Sequence, residues 1–343
     1  MKILSLFDGI SCARVALEKA GIPVEAYYAS EIDRYAVQIS QKNYPDIIKL
    51  GNVKNIEVDT MFTNQEIEFD LLIGGSPCQD LSIAKKDRKG LSGERSGLFW
   101  EYVRILEEVK PKYFILENVA SMPKEAKDTI TKELGVEPIM INAALVSAQN
   151  RKRLFWTNIP NVKQPIDRAI FLRDILEPKV DEKFYVRPKS NTVRSSGRGS
   201  GVDDKHNWGT IRIGSINKGG QGDRIYSPEG KSVGLSALGG GRGAKTGLYL
   251  IQTPRGYNKG GKKALDGKTP TLSSSSWHEN NKLTDGKNIR KLTPVECERL
   301  QSLPDNYTQG VSNAQRYKAL GNAFNVDVIT HILSFLPNYV VKG

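Results

Sequence analysis

Several short stretches of this chain carry residue types that could do chemistry together. Residues 71–80 read Leu-Leu-Ile-Gly-Gly-Ser-Pro-Cys-Gln-Asp, a buried-strand run that breaks on Gly74-Gly75 and presents Cys78 just after Pro77. A thiol at the carboxyl end of a hydrophobic strand sits where open α/β sheets build their ligand crevice, and Pro77 rigidifies the backbone ahead of the sulfur. Taken alone, the segment reads equally as a buried structural cysteine. Glu117-Asn118-Val119 closes another strand run, setting a carboxyl group beside a possible nucleophile; a buried capping glutamate is the alternative. Gln149-Asn150-Arg151-Lys152-Arg153 places alternate arginines on one face of a strand. Such a pair can grip a phosphate and a base carbonyl together, unless it is an ordinary solvated charge run.

A second set of positions suits a nucleotide-like ligand. After the first strand comes Phe7-Asp8-Gly9-Ile10-Ser11-Cys12 and then a helix, so a glycine turn faces a helix N-terminus. Ser11 stands where a dinucleotide fingerprint has its second glycine, which weakens the motif taken alone. Glu31 lies 22 residues beyond Gly9, a spacing that suits a carboxylate accepting hydrogen bonds from ribose hydroxyls; a surface glutamate starting a helix is the alternative. Gly51-Asn52-Val53 follows the third strand and offers an amide and an apolar side chain to a planar base.

The elements that must position these residues alternate over residues 1–160 between short apolar strands and amphipathic helices, the pattern of βαβ units and a mostly parallel sheet. The strands expected are Lys2–Phe7, Glu25–Ser30, Ile47–Leu50, Phe69–Ile73, Tyr113–Leu116 and Leu154–Asn158. Helices are expected over Ala13–Ala20, Tyr35–Asn43, Gly97–Val109 and Pro123–Leu134. Composition shifts after residue 185: Ser195–Gly286 holds 20 of the 32 glycines, with 14 Lys/Arg against 7 Asp/Glu. Interspersed Trp208, Tyr226, Tyr249, Tyr257 and Trp277 favour a small loop-rich folded lobe over a disordered linker. β-prone pieces such as 210–213 and 247–251 lie between its glycine turns. Thr293-Pro294-Val295-Glu296 then supplies an N-cap, a first-turn proline and a capping-box glutamate. An amphipathic helix over about 325–336 needs the first domain to pack on. Residues 1–180 and 288–343 therefore read as one domain, interrupted by a lobe over 181–287.

Charge and composition narrow the function classes. The net charge is +12, from 50 basic and 38 acidic residues, which favours a polyanionic partner such as nucleic acid. No run of 18 apolar residues suggests a membrane span, and the N-terminus enters a strand at once, leaving no room for a signal peptide. Three cysteines do not form a disulfide framework; a reducing, cytoplasmic setting is expected.

In chain order, Ser-Pro-Cys78-Gln, Glu117-Asn118-Val119 and Gln149-x-Arg151-x-Arg153 are followed by the variable lobe. Arg290-Lys-Leu-Thr-Pro-Val-Glu296, Leu303-Pro304 and Leu320-Gly321-Asn322-Ala323 complete the series. This order resembles the DNA (cytosine-5)-methyltransferase family over nearly the whole chain. The opening Leu-Ser-Leu-Phe-Asp-Gly-Ile and Asp80-Leu-Ser82 resemble the de novo eukaryotic branch and its phage and bacterial relatives, which share Ser11.

The resemblance implies a Rossmann-like, S-adenosylmethionine-dependent methyltransferase fold with a target-recognition lobe. It makes Cys78 the nucleophile toward C6 of a flipped cytosine and Glu117 the partner of its N3 edge and amino group. Arg153 would hold the O2 carbonyl, and Arg151 would position Cys78 or a phosphate. S-adenosyl-L-methionine would lie across Phe7, Asp8, Gly9 and Ile10, with Glu31 and Ile32 at its ribose and Asn52 and Val53 at its adenine. Pro77, Asn322 and Ala323 would close that site; no metal is expected. Ser82, Lys85, Lys86, Arg88 and Lys89, on an 80–97 loop closing over DNA, and Lys262 and Lys263 in the lobe would contact DNA. Double-stranded DNA is the implied partner of a cytoplasmic monomer in a bacterial or phage-infected cell, with or without a functionally linked restriction endonuclease. A transfer-RNA cytosine-5 methyltransferase and an inactive DNA-binding regulator are the competing readings.

Overall fold

The computed structural model describes residues 1–76, 96–182 and 289–337, and within the lobe the strand segments 212–215, 224–226, 249–252, 262–264 and 282–284. A seven-stranded sheet forms its centre. The strands are β1 (Lys2–Leu6), β2 (Ala26–Ser30), β3 (Ile48–Lys49), β4 (Leu71–Gly74), β5 (Tyr113–Val119), β6 (Ile139–Asn142) and β7 (Lys152–Thr157), in the order β3-β2-β1-β4-β5-β7-β6. From β3 to β5 every pairing is parallel, while β7 runs antiparallel to both β5 and β6. The chain first builds outward from β1 to β3 and then resumes on the other side with β4. The resulting switch point, at the carboxyl ends of β1 and β4, is where open α/β sheets form a crevice.

The central strands are apolar on both faces, because helices cover both faces. Ile3, Leu71, Ile73 and Ile115 face one layer. Their neighbours Leu4, Leu6, Leu72 and Leu116 face the other. The first layer holds α1 (Cys12–Lys19), α2 (Arg34–Asn43) and the C-terminal helices α7 (Pro294–Leu300), α8 (Asn313–Asn322) and α9 (Val326–Leu333). The second holds α3 (Val58–Met61), α4 (Phe99–Val109) and α5 (Lys124–Leu134). A short helix α6 (Leu172–Ile175) packs on α7. Each fully buried isoleucine or leucine contributes about 1.5–3 kcal/mol.

Thr293 and Glu296 form the expected capping box: Thr293 Oγ1 accepts from the Glu296 amide at 3.1 Å, and Glu296 Oε2 accepts from the Thr293 amide at 2.8 Å. Asn325 caps α9 through a 3.1 Å bond from the Val328 amide. The apolar face of α9, with Val328, Ile329 and Ile332 buried, lies against α1, and the Lys19 ammonium and Arg168 both meet the buried Asp327 carboxylate.

Several boundaries differ from expectation. The third strand shrinks to Ile48–Lys49 because it is the sheet edge, where Ile48 is 43 % exposed. The expected 97–109 helix starts at Phe99, after a 3-10 turn over Ser96–Leu98. β5 runs on to Val119 and β7 begins at Lys152, so Glu117 and Arg153 lie within paired strands. β6, α3, α6 and α8 add to the expected elements; β6 and α3 are four residues each, too short to show a period. β10 (Tyr249–Gln252), β11 (Lys262–Ala264) and β12 (Lys282–Thr284) of the lobe form an antiparallel sheet with β13 (Ile289–Lys291), just beyond it, in the order β11-β10-β12-β13. β8 (Arg212–Ser215) pairs with β9 (Arg224–Tyr226). Among the described residues no helix is long and apolar enough to cross a membrane.

Candidate active site

The β1–α1 turn holds Phe7 at φ 57°, Gly9 at φ 63° and Ser11 at φ 59°, all left-handed. Only Gly9 occupies that region without strain. Beneath the turn the Asp8 carboxylate points into the core. Its Oδ1 accepts from Ser5 Oγ at 2.6 Å and Tyr27 OH at 2.7 Å, and its Oδ2 accepts from Ser11 Oγ. Burial pushes the Asp8 pKa above the usual carboxylate range, and the three hydroxyl donors oppose that rise. Asp8 thus offers a ligand no free carboxylate; what this turn presents is backbone.

Glu31, at the end of β2, folds back over the turn. Its Oε2 accepts from the Gly9 amide at 2.8 Å, while Oε1 accepts from the Ile32 and Asp33 amides at 2.7 and 2.8 Å. Burial raises its pKa against the pull of those amides. Beside it Ile32 stands 72 % exposed, a large apolar side chain with nothing packed over it. The 51–53 segment is tied to β2 by Ser30 Oγ, which donates to the Gly51 carbonyl at 2.8 Å. Asn52 Oδ1 accepts from the Lys54 amide at 3.1 Å and starts a 3-10 turn, and Val53 is buried. Gly9, Glu31, Ile32, Asn52 and Val53 therefore line adjacent parallel strand ends.

The second cluster lies across β5 and β7. Their register pairs Glu117 with Phe155 and Val119 with Arg153, so Arg153 is the diagonal same-face neighbour of Glu117. Arg153 Nε lies 2.7 Å from Glu117 Oε1, with both side chains largely buried. Arg151 is buried behind them; its Nη2 donates to the Ala323 carbonyl at 2.9 Å and its Nη1 to the Gly321 carbonyl at 3.3 Å. Glu117, Arg151, Arg153, Phe155 and Phe324 line a common crevice. Asn322, the last residue of α8, is exposed, and Ala323 is buried.

The chain leaving β4 passes tightly by this crevice. A Cβ at Gly75 would sit 2.7 Å from Phe324 Cε1 and 3.2 Å from Glu117 Oε2. Asn118 Nδ2 donates to Ser76 Oγ at 3.1 Å and to the Ser76 carbonyl at 3.4 Å, tethering the segment that leads to Pro77 and Cys78. Pro77, Cys78, Ser82, Lys85, Lys86, Arg88 and Lys89 lie outside the described residues, as do the side chains of Lys262 and Lys263 on β11. The other two cysteines, Cys12 and Cys297, are buried, and burial pushes both thiols well above their ordinary range.

Sequence reasoning missed Phe324, the Asn118–Ser76 tether, and the hydroxyls of Ser40 and Tyr307 under the glycine turn. Phe324 adjoins the expected Asn322–Ala323 pair, so its place near the site was within reach. Tyr307 meets the carbonyl of Ile10 across 297 positions, and no local pattern announces that.

Chemically, a carboxylate and a guanidinium side by side in a crevice complement a planar ring edge that donates at one atom and accepts at another. A glycine turn, a carboxylate and an exposed isoleucine on neighbouring strand ends complement a nucleoside. The model of the family described as C-5 cytosine-specific DNA methylase matches residues 1–337. The type II methyltransferase M.HhaI of Haemophilus parahaemolyticus is 29 % identical, covering 97 % of this chain and 93 % of its own. The orphan methyltransferase M.SPRI of Bacillus phage SPR is 28 % identical, covering 100 % and 99 %. Among solved structures, the S. pombe Dnmt2 methyltransferase shares the fold at a TM-score of 0.56 and 17 % identity, covering 97 % of both chains.

Proposed function

The chain belongs to the C-5 cytosine-specific DNA methylase family, and from that premise we propose how its residues divide the work of a DNA cytosine-5 methyltransferase. C5 of cytosine is a weak nucleophile until a thiolate adds to C6, so covalent catalysis is needed. Neither ring face is reachable within a duplex, so the base must leave the stack. Cys78 forms the sulfur–C6 bond. Glu117 meets N3 and the exocyclic amino group, favouring the electron pair displaced into the ring, and Arg153 donates to O2. The observation that carries this assignment is the Glu117–Arg153 pair, 2.7 Å apart at the mouth of the crevice beside Gly75 and Ser76. Arg151 anchors the segment after α8 and so holds Phe324 against the pair. Loss of the C5 proton and expulsion of the Cys78 sulfur restore the aromatic ring.

S-adenosyl-L-methionine supplies an electrophilic methyl group and leaves as S-adenosyl-L-homocysteine. The residues present fit it: Glu31 offers a carboxylate to ribose hydroxyls, exposed Ile32 an apolar platform, and Asn52 and Val53 a base-sized edge. Phe7, Gly9 and Ile10 contribute backbone and Asp8 shapes the turn; in this reading Pro77, Asn322 and Ala323 would complete the same site. The chemistry of these donors calls for no metal.

Residues 181–287 form the target-recognition lobe, with β13 continuing its sheet to Lys291, and residues 1–180 and 288–343 form the catalytic domain. Support comes from the glycine-rich basic composition of the lobe and its separate antiparallel sheets. Ser82, Lys85, Lys86, Arg88, Lys89, Lys262 and Lys263 contact DNA in this reading, on a monomer acting with or without a linked endonuclease. Duplex DNA carrying 5-fluorocytosine tests the nucleophile, because fluorine at C5 blocks the final elimination. Wild type should form a covalent adduct whose peptide map places it on Cys78, and Cys78→Ser should form none. An adduct on Cys12 or Cys297 would overturn the assignment.

A further inference from the structure

The turn that carries Gly9 has an unusual foundation. Two of its three left-handed residues, Phe7 and Ser11, are not glycine, and a side chain in that conformation strains the backbone. Ser11 is the N-cap of α1, yet its hydroxyl makes no capping bond to the helix. It donates its single proton to Asp8 instead. The 2.6 Å approach of Ser11 Oγ and Ser40 Oγ must therefore be donated by Ser40. A directed chain runs from Ser40 on α2 through Ser11 to Asp8, which also receives Ser5 and Tyr27. From the C-terminal segment, Tyr307 OH donates to the Ile10 carbonyl at 2.7 Å. Each of these polar side chains is at least nine-tenths buried. Asp8 is further pinned to β2 by its amide, 3.0 Å from the Ser30 carbonyl. Gly9, whose amide meets Glu31, thus lies between two residues anchored from below.

We propose that Ser11, Ser40 and Tyr307 are positioning residues for the cofactor, holding the strained turn so that the Gly9 amide and the Glu31 carboxylate stay in binding geometry. The proposal rests on the reading of Gly9 and Glu31 as the cofactor site. None of the three touches the ligand; they act by removing conformational freedom that binding would otherwise have to remove. Without the buried hydroxyls the turn relaxes toward right-handed conformers, and the Gly9 amide leaves Glu31.

The test is calorimetric titration with S-adenosyl-L-homocysteine, at a temperature where circular dichroism shows each variant folded. Tyr307→Phe, which deletes one oxygen, and Ser40→Ala should each weaken binding about three- to tenfold. The KM for S-adenosyl-L-methionine should rise in step, while kcat at saturating cofactor and the KM for DNA hold. Ser11→Gly separates positioning from mere relief of strain. If the hydroxyl only offsets strain, the glycine variant binds like wild type and the proposal falls; if it positions the turn, the glycine variant binds more weakly. Ile130→Val, in α5 on the opposite face of the sheet, lowers stability and should leave cofactor affinity unchanged. A loss of affinity there in proportion to the drop in stability would overturn the proposal. If Tyr307→Phe and Ser40→Ala bind like wild type while Glu31→Ala binds weakly, positioning is wrong and the cofactor site stands. If Glu31→Ala also binds like wild type, the site itself is wrong. Should Ser40→Ala fail to fold, Tyr307→Phe decides alone.

Discussion

Gly75 and Phe324 are packed so closely that a methyl group on Gly75 would lie 2.7 Å from the aromatic ring. Residues far apart in the chain thus share one small volume at the edge of the Glu117–Arg153 crevice. Gly75→Ala should destabilise the protein by about 1–3 kcal/mol and slow methyl transfer, because neither the β4 backbone nor a buried ring can easily give way. Adding Phe324→Leu should recover part of that stability. Denaturant unfolding of the four members of this cycle measures the coupling, and strictly additive losses would show that the two residues do not compete for space.

Glu117→Gln should lower the single-turnover rate of methyl transfer by about 10²-fold or more, leaving cofactor affinity intact. Arg153→Ala should fall in the same range. Because the two side chains are joined at 2.7 Å, the double variant should lose much less than the product of the single losses. Independent, multiplicative effects would mean that the pair does not act as a unit.

Glu31→Ala should weaken cofactor binding by about 10- to 100-fold, the loss of a charged acceptor to two hydroxyls. Burial raises the Glu31 pKa, which also sets a pH dependence. In the proposed reading cofactor binding uses the carboxylate, so affinity in wild type should begin to fall on acidification above the pH at which an ordinary glutamate titrates. The contribution of the same group to the stability of the ligand-free protein runs the other way. With a folded pKa above the unfolded one, that contribution is complete below the unfolded pKa and is lost as pH rises through the folded value. Glu31→Gln should flatten the affinity profile over this window. An unchanged profile would assign the pH dependence to another group.

Neutralising Lys262 and Lys263 together should weaken binding about equally for target and non-target duplexes. The slope of log affinity against log salt should become shallower by about one for each phosphate that is no longer neutralised. A loss confined to target DNA would make these lysines readers of base edges instead.

Much of the arrangement of the candidate site was legible because its residues sit where an open sheet must place them. The spacing from Gly9 to Glu31 is one βαβ step, and the structure joins them by a 2.8 Å hydrogen bond. Glu117 was legible as the end of an apolar run, although the strand continues two residues beyond it. The supporting interactions were not legible. Phe324 against Gly75, Tyr307 under Ile10 and Arg290 on Glu296 arise from tertiary packing that leaves no periodic trace. Ser11 reads in the sequence as a weakened glycine motif; in the fold its hydroxyl ties the turn to Asp8 and Ser40. The short edge strand β6 escapes sequence reading because four residues carry too little pattern, whereas β3 was expected over Ile47–Leu50 and pairs only over Ile48–Lys49.

The packing of α9 on α1 has a consequence for synthesis in the cell. Lys19 and Asp327, paired where the two helices meet, are 308 positions apart. At about 5–20 residues per second a ribosome needs roughly 15–60 s to cover that distance. During this interval α1 has emerged while its final partner has not, and an apolar surface remains uncovered on the nascent chain. Slowing translation within the lobe should lengthen that exposure and increase dependence on chaperones, while the finished enzyme keeps the same packing.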